Sequence, residues 1–144
     1  MIKIICVGKL KEKYLLDASL EYQKRISKYT HLQILELKDS DINKEKEEIR
    51  KYISPKDYII TLDIEGNMVD SPTLATKIEE TFQYYPNITF IIGGSNGLHT
   101  SIKKEAHYSL SFSKLTFPHQ LFRIILLEQI YRSFKIINNE TYHK

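Results

Sequence analysis

Phe90-Ile-Ile-Gly-Gly-Ser-Asn-Gly-Leu-His99, read with Leu110-Ser-Phe-Ser-Lys-Leu-Thr-Phe-Pro-His-Gln120, decides how this chain folds. An apolar β run stops at two glycines. Farther along, a second short run stops at Ser113, Lys114 and Thr116, ahead of Pro118. Two strand ends that carry loops poor in side chains predict a crevice where main-chain groups meet a ligand. In open α/β sheets that crevice lies beyond the carboxyl ends of the strands. Gly93, Gly94 and Gly97 permit positive φ and a close approach to the backbone. A single glycine loop is usually a plain turn; a second loop at a neighbouring strand end suggests binding. Neither loop is a phosphate fingerprint.

Outward from these loops, strand-like and helix-like periods alternate. Ile2–Val7, Leu32–Leu37, Tyr58–Leu62, Ile88–Ile92 and Tyr108–Phe112 read as strands. Glu12–Ser27 reads as an amphipathic helix. Asp41–Tyr52 reads as a charged, peripheral helix capped by Asp41 or Asn43, with Ile42, Ile49 and Tyr52 to bury. Asp63–Asp70 reads as a loop. Ser71 is the expected N-cap of the next helix, with Pro72 at its first position. A short helix over Thr100–His107 and a long one from Pro118 to Ile137 complete the chain. The alternation predicts an α/β fold, a mostly parallel five-stranded sheet in a single domain spanning residues 1–144.

Composition narrows the class. The chain has 144 residues, 42% apolar and 27% charged, in the range of ordinary globular proteins. The one cysteine, Cys6, excludes an internal disulfide and a multi-cysteine zinc site. It falls in the first apolar strand, which suggests a buried thiol in a reducing compartment. No secretory signal is visible, and polar residues interrupt Leu121–Ile137, which argues against a membrane span. A cytoplasmic protein is expected. The net charge of +3 tolerates a polyanionic partner without requiring one. Lys9, Lys11, Lys13, Lys24, Arg25 and Lys28 form either an RNA-facing basic patch or ordinary surface charge.

The last helix is apolar around most of its circumference, from Leu121, Phe122 and Ile124 through Phe134 and Ile137. One stripe suffices to cover a sheet, so a homodimer through this helix is expected.

Taken in order, Cys6-Val-Gly-Lys-Leu10, Thr61-Leu-Asp-Ile-Glu-Gly66, Ile91-Ile-Gly-Gly-Ser-Asn-Gly-Leu-His99, Leu110-Ser-Phe-Ser-Lys-Leu-Thr-Phe-Pro-His119, Glu128-Gln-Ile-Tyr-Arg132 and Tyr142-His-Lys144 resemble the RlmH-type methyltransferases. These are SPOUT-class enzymes that methylate N3 of a pseudouridine in large-subunit ribosomal RNA. The resemblance covers the whole chain and implies a C-terminal trefoil knot, which no pattern reading would propose. It also implies homodimerisation and an S-adenosylmethionine site. The donor-binding positions it implies are Leu62, Gly93, Phe112, Ser113, Lys114, Leu115, Thr116 and Phe117. Apolar walls with main-chain hydrogen bonds suit an adenine, and Lys114 is expected to turn its amine away from the sulfonium. Asp39–Lys51 is shorter than the matching stretch of typical members, which leaves any ribosome contact from that region open.

Methyl transfer of this kind demands alignment and the exclusion of water, with no metal or covalent nucleophile. The acceptor nitrogen carries a proton, so a base, or a cation favouring the ring anion, should face the methyl group. His119, His143 and Tyr142 are the expected catalytic residues, with His119 or His143 as proton acceptor. Glu128 also lies among the candidates. His119 is read equally well as a structural residue bonded to main chain. A terminal Tyr142-His143-Lys144 is by default a frayed tail, but the resemblance implies that this tail reaches an active site, its own or the partner's. Arg123 and Arg132 are the expected RNA contacts, with pairing to Glu128 across a dimer as the alternative. Other readings stay open: a different RNA such as tRNA as acceptor, a non-catalytic ribosome-assembly factor keeping the fold, or a flavodoxin-like nucleotide-binding module.

Overall fold

In the computed structural model, which describes residues 1–144, five parallel strands form one sheet in the order β2-β1-β4-β3-β5. The strands are β1 (Ile2–Val7), β2 (Leu32–Leu37), β3 (Asp57–Met68), β4 (Asn87–Ile92) and β5 (Tyr108–Ser111). Between and after them run α1 (Lys13–Ile26), α2 (Ile42–Lys51), α3 (Ser71–Thr81), α4 (Thr100–Glu105) and α5 (His119–Ile137). Side chains alternate across the strands, so each face supplies its own core. Ile2, Ile4, Cys6, Ile88, Phe90, Ile60 and Leu110 pack under α1, α3 and α5. Ile5, Ile59 and Ile91 pack under α2 and α4, together with Ile49, Leu98 and Ile102. Both faces are covered, which is why the central strands read as largely apolar runs, interrupted only by Lys3, Thr61 and Thr89 within their cores.

Several boundaries differ from the sequence reading, each for a local reason. The expected loop Asp63–Asp70 is largely strand. After Leu62 pairs with Leu110, the chain arches over Asp63–Gly66 and pairs again with Asn67 and Met68 against Leu110 and Ser111. Gly66 is required in this arch, because a Cβ there would lie 2.8 Å from the Ser109 backbone. The N-cap of α3 is Asp70 rather than Ser71: the Asp70 carboxylate accepts the Thr73 N–H at 2.8 Å. Ser71 is left free to donate to Gln129 on α5. Helix α4 stops at Glu105, since the His107 N–H and Nδ1 pair with the backbone of Ile59 and begin β5. In α2, Asp41 is the cap and Ile49 is buried, whereas Tyr52 is 40% exposed.

At the amino edge of the sheet, β1, β4 and β3 share a buried polar cluster. Lys3 Nζ donates to Asp57 at 2.9 Å and to the Tyr52 carbonyl at 2.7 Å. The Asn87 amide and the Ser54 N–H complete the carboxylate's shell. Burial alone would raise the Asp57 pKa, but the bonds from Lys3, Ser54 and Asn87 together hold it below the ordinary carboxylate value. A depressed folded pKa adds stability that is complete above the unfolded value and disappears as pH falls through the folded one. Wild-type protein should therefore lose urea resistance on acidification below about pH 4. Asp57→Asn should be less stable near neutrality and lose much of that acid limb. An unchanged limb in the variant would exclude Asp57 as its source.

Cys6 is 1% exposed, and burial pushes its thiol up to about 11. Only thiolate reacts readily, so thiol reagents at pH 8 should leave the native protein untouched and label it fully in denaturant.

Candidate functional site

The carboxyl ends of β3, β4 and β5 enclose a cleft of about 440 Å³, within the range of small-molecule sites. Each of those ends contributes a loop: the arch after Leu62, the Gly93–Leu98 turn and the Phe112–Phe117 segment leading into α5. The Gly97 N–H donates to the Gly94 carbonyl at 2.9 Å, closing a turn over Ser95 and Asn96 in which Gly97 takes φ +73°. Gly93 and Gly94 do not use positive φ. They are needed for space: a Cβ on Gly93 would stand 2.7 Å from the carbonyl of Gly97, and one on Gly94 would stand 3.0 Å from Val7.

The third loop is shaped by hydroxyls and rings. Ser111 Oγ donates to the Ser113 carbonyl, while Ser113 Oγ accepts the Leu115 N–H. Phe122, in the first turn of α5, meets Phe112 with 5.0 Å between ring centroids and Phe117 at 5.9 Å. Leu115 lines the cleft yet is 73% exposed, an apolar side chain left at the mouth without a protein partner.

Of the donor-site residues expected from sequence, Leu62, Gly93, Phe112, Ser113, Leu115, Thr116 and Phe117 all border this cleft. Lys114 does not border it and is exposed. The cleft also takes in Asp63, Ile64, Lys103 and Leu110, which the sequence reading missed. Asp63 and Ile64 were hidden because the arch read as featureless loop, and Lys103 because it sits in an ordinary helical turn.

The expected catalytic residues are split between two places. His119 opens α5 and borders the cleft. Tyr142 and His143 fold back on the other end of the same helix. There Arg132 is held by Glu128 at 2.8 Å, and Tyr142 donates to Glu128 at 3.0 Å. The His143 Nδ1 lies 3.0 Å from an Arg132 nitrogen. Arginine only donates, so Nδ1 accepts there. The Tyr142 ring also lies against the Arg132 guanidinium at 4.9 Å and edge-on to Tyr131 at 5.0 Å. Burial first, and then the bond to Glu128, push the Tyr142 phenol up to about 12; at neutral pH it is a donor, not a base. The tail is not frayed. Asn139 turns it with φ 54°, and Glu140 ties it to Tyr29 at 2.7 Å and Lys135 at 3.0 Å. Thirteen residues of helix separate His119 from Arg132, about 20 Å along the axis.

Arg123 corrects an expectation. Its side chain is 3% exposed and paired with Glu36, and it donates to the Gly8 carbonyl at 2.9 Å. The residue is an internal tie between α5 and the turn after β1, with no face toward RNA. Arg132 pairs with Glu128 inside its own helix, four residues apart, rather than across a dimer.

The cleft at the carboxyl ends of β3, β4 and β5, with the final helix leading directly from it, is that of a SPOUT-class methyltransferase by family membership. The chain belongs to that family: residues 1–143 match the family model described as "Predicted SPOUT methyltransferase". Among its relatives are two proteins called ribosomal RNA large subunit methyltransferase H. The one from Clostridium kluyveri is 50% identical over 157 alignment positions, covering 99% of both chains. The other, from Caldicellulosiruptor saccharolyticus, is 46% identical over 154 and covers 100% of both. In fold the chain is similar to the structure of a probable methylase family protein from Haemophilus influenzae, with TM-score 0.59 and 11% identity. That match covers 99% of this chain and 70% of the other.

Proposed function

We propose that this protein transfers a methyl group from S-adenosylmethionine to N3 of a pseudouridine in large-subunit ribosomal RNA, acting in the cytoplasm as a homodimer. The observation that carries the reading is the three-loop cleft, in a chain about half identical over its full length to relatives named for large-subunit RNA methylation. The cleft fits the donor. Leu62, Ile92, Leu110 and Phe112 offer apolar walls, Gly93 keeps one wall free of a side chain, and no cation from Lys114 enters. When bound, S-adenosylmethionine supplies an activated methyl group on a sulfonium.

The chain's own residues then have two tasks: to hold the donor between Leu62, Gly93 and the Phe112–Phe117 loop, and to manage the acceptor's proton. His119 is positioned at the cleft for the second task. The Glu128–Arg132–Tyr142–His143 cluster offers a fixed cation to favour a deprotonated ring, and an imidazole that can take up the ring's proton once Nδ1 leaves Arg132. About 20 Å of helix keeps this cluster from its own cleft, so it serves the cleft of the partner subunit.

The dimer rests on that separation and on surface chemistry. It does not rest on the circumference of α5, because α1 and α3 flank that helix and bury Ile124, Leu126, Leu127 and Ile130 within one chain. Among the apolar side chains left exposed are Leu16 and Leu20 on α1, 41% and 63% exposed, and Leu121 on α5, 40% exposed. These are the side chains a second copy would cover. A trefoil threading agrees with the path of the chain. After β5 at the sheet edge it crosses the ends of β3 and β4, and Arg123 then reaches Gly8 at the end of β1.

Mass spectrometry of large-subunit RNA from cells with and without the gene tests the reading. Loss of one methylpseudouridine, restored by purified protein and donor, is expected. An unchanged modification profile would overturn it.

A further inference from the structure

We propose that Asp63 and Lys103 form the subsite for the α-amino-acid end of the methyl donor, an inference that rests on the donor reading above. Around the cleft these two are the only side chains of opposite charge; the rest of the lining is apolar, glycine, hydroxyl-bearing or His119. They face each other with Lys103 Nζ 3.2 Å from Asp63 Oδ2. The Asp63 side chain is only 16% exposed, whereas that of Lys103 is 41% exposed.

The donor has two unlike ends. Its adenosine suits the apolar side formed by Leu62 and the Phe112–Phe117 loop. Its other end is a zwitterion carrying an ammonium and a carboxylate, which an apolar wall would strand without partners. Asp63 and Lys103 are the one place where both charges find a complement. Asp63 takes the ammonium and Lys103 the carboxylate, so a single ion pair is exchanged for two.

Asp63 is set for this role by the arch. Its Oδ1 accepts the Glu65 N–H at 3.2 Å, leaving Oδ2 toward Lys103. Gly66 fixes the same arch against β5. Lys103 brings a flexible four-carbon stem from α4, able to swing from the carboxylate of Asp63 to that of a ligand. Before the ligand arrives each charge neutralises the other, so no unpaired charge is held at the cleft wall.

The full-length protein tests this with two ligands that differ in the amino-acid end. S-adenosylhomocysteine carries it, and 5′-methylthioadenosine lacks it. By calorimetry, wild-type protein should prefer S-adenosylhomocysteine by about ten- to a hundredfold, the worth of charge-assisted hydrogen bonds. Asp63→Asn, which keeps an acceptor for Glu65, and Lys103→Met should each reduce that preference by about tenfold. In the double variant the two ligands should bind almost alike. Unchanged affinity for 5′-methylthioadenosine shows that each variant retains its fold and its adenosine site. If both ligands weaken together, the pair merely ties the arch to α4 and the proposal fails. It fails equally if the preference survives in the double variant. If neither ligand binds the wild type, the donor reading falls and this subsite falls with it.

Discussion

Gly93→Ala is expected to weaken binding of S-adenosylhomocysteine by about ten- to a hundredfold, the cost of overpacking a site that cannot relax. The added methyl would stand 2.7 Å from the carbonyl carbon and oxygen of Gly97, and 3.0 Å from the Leu98 side chain. Main-chain atoms cannot swing aside as a long side chain does. The turn closed between Gly94 and Gly97 must therefore shift, and with it the wall of the cleft. Calorimetry reads the affinity and a thermal melt reads the fold. Because the clash lies at a loop tip beyond β4, the melt should change less than the affinity. Full affinity in a folded variant would mean that the turn does not bound the donor site.

Mixing two impaired variants at limiting donor should restore activity. Gly93→Ala damages the cleft, and a chain lacking Tyr142–Lys144 loses the far cluster on α5. At limiting donor, Gly93→Ala alone should be about ten- to a hundredfold slower than wild type, and the truncated chain alone about a hundredfold slower, as expected when a positioned acid–base group is removed. If each cleft is completed by its partner's tail, a mixed dimer contains one intact site built from the two undamaged halves. Random exchange in a twofold dimer then returns about a quarter of wild-type activity. If the tail served its own cleft, the mixture would stay impaired. The roughly 20 Å between His119 and Arg132 is what makes the experiment decisive.

Much of the fold was legible because strands buried on both faces leave an unmistakable apolar run. Ile2–Val7 and the β4 run needed no tertiary information, and neither did the length of α5. The loops were harder. Asp63–Gly66 is polar and glycine-containing, so it read as a loop, although its neighbours Asn67 and Met68 rejoin the sheet through long-range pairing with β5. Ser71-Pro72 carried a good capping pattern, yet Asp70 is one residue better placed and Ser71 is claimed by Gln129. At the site, the glycine turn announced itself through composition. The roles of the arginines did not: sequence spacing cannot show that Arg123 has Glu36 and Gly8 waiting for it.

That buried guanidinium has a consequence for assembly. Its partners lie 87 and 115 residues away, and Gln120 accepts the Lys11 N–H across 109 more. Loops of that length close slowly, because their entropy is lost before any contact repays it. A ribosome delivering this chain would thus release a first half whose turn at Gly8 stays unfastened until the final helix emerges. Fragments ending before residue 123 should behave as open, protease-sensitive chains rather than as smaller stable units.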